Sequence, residues 1–215
     1  MAHPGWPIFD LRITTPDLDV RPMTEDDLVE VAQAIPDDLE VDPTSPRYEG
    51  FSWREQLAAT SAQSYWRALG TWSVESWNVI FAIRHDGVLV GSQALEGEDF
   101  LRLRTVDSWS WLSAEARGRG WGKQMRRSVL ALAFGPLEAR YAITSAWHDN
   151  HASLGVSRSL GYRPNGESLM AREGPDNGVD TLVHLRMTRD DWLSSGGSVG
   201  VAVEGVEACR PWFGI

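Results

Sequence analysis

Arg117-Gly118-Arg119-Gly120-Trp121-Gly122-Lys123 is the run whose residue types and spacing call most directly for a ligand. Gly120 and Gly122 remove the side chains that would keep a pyrophosphate away from the backbone amides. Arg117, Arg119 and Lys123 add positive charge beside those amides, in a chain whose formal net charge is −10. Local cations against a global negative balance indicate a defined anion site, not a basic surface. A second run, from His148-Asp149-Asn150 to Gly161-Tyr162, spaces an Asn and a Gly as the cap and stop of a helix.

Both runs need elements to hold them. Residues 101–112 are rich in branched and aromatic side chains and read as a strand that leads into the glycines. Beyond them Met125, Val129, Leu132 and Ala133 recur at helical spacing, with Arg126 and Arg127 on the opposite face, and Gly135-Pro136 closes the helix. The glycine run thus lies between a strand and a helix start. There, unpartnered amides and the positive end of the helix dipole attract phosphate.

Upstream, 18–22 alternates like a short strand, and Thr24-Glu25-Asp26-Asp27 opens a helix with acids in its first turn. A second helix covers roughly 52–69, and strands at 78–84 and 88–95 flank the hairpin signal Asp86-Gly87. Downstream come a strand at 141–146, a helix at 150–160 and a closing strand pair at 162–170 and 181–187, joined by a turn-rich link. The expected fold class is α/β (α+β), with a mixed, mostly antiparallel central sheet flanked by helices in the order β-α-α-β-β-β-α-β-α-β-β. Residues 1–16 read as an N-terminal extension, 17–193 as the domain, and 194–215 as a tail whose packing the pattern leaves open.

Three phosphate patterns compete for the glycine run. A Walker loop fails because Arg117 stands where its first Gly belongs and Gln124 replaces Ser/Thr. A dinucleotide fingerprint fails because Lys123 stands in place of the third Gly. Gln/Arg-x-x-Gly-x-Gly/Ala is met in full by Arg117, Gly120 and Gly122. In this run the sequence resembles the GCN5-related N-acetyltransferase (GNAT) superfamily. The second run resembles that family's Asn-x-x-Ala/Ser…Gly-Phe/Tyr motif, in the form of the RimJ/RimL-like group, and the element order resembles the family over 17–193.

The resemblance implies transfer of an acetyl group from acetyl-CoA, a co-substrate, to a primary amine by direct attack. Arg117, Gly118, Arg119, Gly120, Trp121, Gly122 and Lys123 would bind the pyrophosphate, and Asn150 the pantetheine arm. An amide of Trp111, Leu112 or Ser113 would donate to the thioester oxygen. The amine arrives as an ammonium and must lose a proton. Asp107 matches the strand carboxylate of many members and shares a strand face with Trp109 and Trp111; otherwise it is a solvated carboxylate or one paired with Arg104. Glu173 is the second candidate base. Ser157, at the position where many members place a Tyr, is a candidate cofactor contact beside Ser153, which would orient the sulfur or a water, or else pack its helix. Trp53, Trp66, Trp72 and Trp109 are candidate walls of an acceptor pocket, with core packing the alternative for each.

The length of 215 residues and 42% hydrophobic content fit one soluble globular domain. The acidic balance argues against a nucleic-acid partner, and no run is apolar for long enough to cross a membrane. A cytoplasmic location is expected. Cys209 is the single cysteine, which excludes an internal disulfide. His148 and His151 have no metal-ligand spacing, so no metal is expected. The expected acceptor is a small aromatic or apolar amine, an antibiotic-type metabolite or a short peptide. The alternatives are an acyl-CoA-binding sensor without turnover and a protein N-terminal acetyltransferase, and a homodimer stays open.

Overall fold

Two sheets make up the molecule, and they separate where the glycine run begins. The computed structural model describes residues 3, 5–40, 45–172 and 178–215. In chain order the elements are β1 (Arg12–Thr14), β2 (Asp19–Pro22), α1 (Asp27–Ala34), α2 (Trp53–Gly70), β3 (Trp77–His85), β4 (Val88–Gly97) and α3 (Phe100–Leu103). Then come β5 (Thr105–Val106), β6 (Ser110–Leu112), α4 (Trp121–Phe134), β7 (Tyr141–Trp147), α5 (His151–Ser159), β8 (Arg163–Ala171), β9 (Val179–Thr188), α6 (Arg189–Ser194) and β10 (Ala202–Glu204). One sheet runs β10-β1-β2-β3-β4-β6 and the other β5-β7-β9-β8. Only the β5–β7 pair is parallel among the described strands.

Strand β3 explains why the six-stranded sheet is covered on both faces. Its side chains alternate: Val79, Phe81 and Ile83 enter a core shared with α4, while Ile80 and Ala82 enter a second core with Leu57 and Tyr65 of α2 and Val31 of α1. A strand buried on both faces reads as a continuous apolar run, which Val79-Ile80-Phe81-Ala82-Ile83 is. Ser52 starts α2 with a full capping box to Glu55. Arg84 ties β3 to α1 through Asp27 and Glu30, each at 2.6 Å.

The expectation of one strand over 101–112 is corrected. Phe100, fully buried against Trp77, closes a single helical turn between two left-handed residues, Asp99 (φ 44°) and Arg104 (φ 47°). What remains is split. β5 joins β7, β6 joins β4, and the interval is held to β4 by the paired backbones of Glu96 and Asp107 and by the Ala94 N–H donated to the Trp109 carbonyl. The expected face for Arg126 is also corrected. α4 is packed by β1, β4, β7 and α5, so burial extends beyond one stripe and Arg126 is only 3% exposed.

Both ends of the chain join the larger sheet. β10 pairs with β1, and Phe213 is fully buried against Trp72 and Trp77. Cys209 is buried there as well, with its thiol pushed up to about 11 by burial and then by Asp10, so it is not a reactive thiolate at neutral pH. No helix among the described residues is long and apolar enough to cross a membrane.

Candidate active site

The site is the gap left when the two sheets part. β5 and β7 pair only at Thr105–Tyr141 and Val106–Ala142, and the last tie beyond them is the Thr144 hydroxyl donating to the Ser108 carbonyl at 3.2 Å. From there β6 follows β4 and β7 follows β9. A cleft of about 1680 Å³ runs through the opening, lined by α1 and α2 on one face and by α4 and α5 on the other.

Strand alternation decides which amides face the gap. Asp107 N–H donates to Glu96 and Ser113 N–H to Val90, while Trp109 C=O accepts from Ala94. Antiparallel bonding therefore turns the amides of Ser110 and Leu112 the other way, toward β7. Of the three residues expected to supply an oxyanion donor, Leu112 has its amide on the gap. Ser113's amide is engaged and Trp111's points to β4.

On the α4–α5 face, Gly118 (φ 76°) and Gly120 (φ 80°) are left-handed, with open space where a Cβ would stand. Gly120 caps α4 without any side-chain hydrogen bond, so the first-turn amides have no side-chain acceptor. Trp121 fixes the turn from behind. It is buried against the His85 ring at 4.3 Å, and the Arg119 guanidinium lies 5.0 Å over it. Arg119 and Lys123 are exposed, and Arg117 is paired in two bonds (2.6 and 2.7 Å) with Asp38. Uncapped amides, left-handed glycines and nearby cations together fit a pyrophosphate.

The second motif extends the same face along α5. Asn150 caps α5 by accepting the Ser153 amide at 3.0 Å, and both residues line the cleft. Ser157 does not line it. It is 1% exposed, and its hydroxyl donates to the Ser153 carbonyl at 3.0 Å and accepts from Arg126. Its expected place beside the cofactor is corrected on that ground. Arg126 itself lines the cleft; helix periodicity alone had turned it away from the apolar face.

The α1–α2 face carries carboxylates. Glu96 lines the cleft, whereas Asp107, its partner across the strands, does not. Burial, and then the Asp107 charge, push the Glu96 carboxyl above the usual carboxylate range, against a hydrogen bond from Trp109. Asp107 is also raised by burial, against the pull of the Ser108 amide, Arg126 and His184. The expected base position therefore holds a pair, and its cleft-facing member is Glu96. Sequence reasoning missed Glu96 because its only signal was a carboxylate at the end of a buried strand.

The aromatic expectations divide. Trp53 and Trp109 line the cleft, with the Trp53 indole donating to the Asp37 carbonyl at 2.7 Å. Trp66 is 51% exposed and lies outside it. Trp72 packs among Trp6, Trp77 and Phe213, away from the cleft. Glu173 lies outside the described residues. Arg172 binds Glu40, Asp149 (2.9 Å) and Asp180 (2.7 Å) and stacks over Trp147, so residues 37–40 are fastened across the cleft mouth at both Arg117 and Arg172.

Known proteins share this architecture. Mycobacterium smegmatis RimJ in complex with CoA-disulfide is 18% identical, with 91% of this chain and 98% of that one covered at a TM-score of 0.64. A RimL ribosomal L7/L12 alpha-N-protein acetyltransferase in complex with CoA is 14% identical over 82% of this chain and 97% of that one, TM-score 0.63. A chimera of Vibrio cholerae spermidine N-acetyltransferase SpeG and hSSAT is 13% identical over 82% and 98%, TM-score 0.59. At such identities the likeness establishes the fold. The model of the acetyltransferase (GNAT) domain matches residues 17–163. That is well over half of the chain, and it spans the glycine run, the parted strands and the Asn150 motif: this protein belongs to the GNAT acetyltransferase family.

Proposed function

We propose that this acetyltransferase takes acetyl-CoA through the α4–α5 face and a cationic amine through the α1–α2 face, and that the two meet in the gap between β6 and β7. The observation that carries this reading is that one cleft joins two unlike sites. Gly122 and the uncapped start of α4 lie at one side, and the buried Glu96 with Glu98, Trp53 and Trp109 at the other. The first suits a phosphate and the second an ammonium. Aromatic rings beside carboxylates suit an ammonium, which the rings attract through their faces.

The chemistry follows from that placement. The amine nitrogen attacks the thioester carbon, and charge gathers on the thioester oxygen, toward which Leu112 N–H faces. Glu96 accepts the amine proton, directly or through a water. A carboxyl raised by burial and a neighbouring acid is a better base near neutrality than an ordinary one. Asn150 and Ser153 hold the pantetheine arm along α5. The acceptor is a small aromatic or apolar amine, or a short peptide whose terminus enters as the ammonium. The peptide reading gains from the names of the RimJ and RimL neighbours.

The test is acetyl-CoA consumption against a panel of amines and peptides, read as free thiol and confirmed by mass of the product. Glu96→Gln is expected to lower kcat by about 10²–10⁴-fold and to abolish the acidic limb of the pH profile. Binding of CoA with no thiol released from any amine would favour a sensor instead.

A further inference from the structure

Arg126 is a buried charge in the cleft with no carboxylate in contact among the described residues. It is 3% exposed and lines the cleft floor where the sheets part. Its hydrogen bonds are to neutral hydroxyls, Thr144 at 3.2 Å and Ser157 at 3.4 Å, and its Nε has none among the described residues. No carboxylate among the described residues lies within 4.0 Å of it. A guanidinium keeps its charge, and burying a charge without an opposite one is costly. The facing ionisable groups do not supply one. Asp107 pulls only from beyond contact distance and is itself raised by burial, the Tyr162 phenol beside Arg126 is raised too, and His184 is not an anion.

Besides the charge on the thioester oxygen, which Leu112 N–H faces, the reaction makes a second anion in this gap, on the leaving group. When the amine nitrogen bonds to the carbonyl carbon, the carbon–sulfur bond breaks and its electron pair leaves on sulfur. The ammonium gives one proton to Glu96 before it attacks, its second passes to water once the new bond has formed, and the thiolate later takes a proton from water, leaving amide and CoA thiol. We propose that Arg126 stabilises the departing CoA thiolate, acting by charge where Ser157 is too short and too deeply turned to act by proton transfer. Ser157 favours this placement, since its small side chain leaves room on α5 for the guanidinium that α4 projects beneath it.

The inference rests on CoA binding in this cleft, and its test separates the two. CoA is bound to the intact protein and its thiol is titrated by the ultraviolet absorbance of the thiolate. In the wild type the bound thiol is expected to ionise at least about tenfold more readily than a free thiol, which titrates near about 8.5. Arg126→Gln should return it to the free value while CoA still binds, and Arg126→Lys should keep part of the displacement. A bound thiol that titrates like free CoA in the wild type overturns the inference, whether or not the Gln variant folds. So does a displacement that survives in Arg126→Gln, since Arg126 would then only tether α4 to β7. Failure to bind CoA at all would instead overturn the functional reading.

Discussion

Arg84 and Arg126 are two arginines buried almost equally, at 6% and 3% exposure, in one small domain. Arg84 has two carboxylates at 2.6 Å and the Gly87 carbonyl at 2.8 Å, and those partners hold its charge more firmly still. Arg126 has hydroxyls and no carboxylate in contact among the described residues. The first is met by opposite charge and pins α1 to β3, although its Nε, like that of Arg126, has no partner among the described residues. The second stands at the one place where the sheet opens, with its electrostatic complement missing. Burial alone does not separate structural charge from functional charge; the presence of an opposite charge does.

The largest effect expected from this contrast is on stability. Arg84→Ala should cost about 3–5 kcal/mol in denaturant unfolding, because Asp27 would be left buried and unpaired. Turnover per folded molecule should stay unchanged, since Arg84 lies outside the cleft. A loss of activity beyond the folded fraction would break the contrast.

Next in size is the phosphate loop. Gly120→Ala forces a side chain onto a left-handed residue at φ 80°, with open space around it, so the cost is conformational, about 1–2 kcal/mol. If that strain is relieved by reshaping the loop, CoA affinity should fall about tenfold in calorimetry, with less change in the amine KM. Equal weakening of both substrates would argue that the loop shapes the whole cleft.

Asp107→Asn should give the smallest effect, on the pH dependence of stability. The folded carboxyl is raised above its unfolded value, mainly by burial, so the native state binds the proton more tightly. Its contribution is full at pH below the ordinary carboxylate range and is lost as pH rises through the raised value. The Asn variant should therefore gain melting temperature at neutral pH relative to wild type, and the gain should shrink on acidification. An Asn variant that is less stable at neutral pH and more stable in acid would reverse the sign.

How much of this was legible in the sequence depends on how local each signal is. Gly118 and Gly120 announce their left-handed backbone by themselves, and Asn150 announces a cap, so the loop and α5 were readable. Over 101–112 the composition was strand-like, yet its first three residues belong to the helical turn that begins at Phe100, packed against Trp77. Glu96 and Arg126 were not readable as site residues because their roles depend on distant neighbours. Glu96 matters through Asp107 across the strands, and Arg126 through Thr144 and Ser157, 18 and 31 residues away. Trp72 and Trp53 look alike in composition; only the chain ends, which bring Trp6 and Phe213 against Trp72, separate core from cleft.

The central claim is that the opening between β6 and β7, with the bare start of α4 beside it, receives a CoA thioester. Calorimetric titration of the pure protein with CoA tests it most directly. The expected result is saturable binding of one CoA per chain, weakened by added salt as its phosphates are screened. A flat titration, or binding that Gly120→Ala and Asn150→Ala both leave untouched, would contradict it.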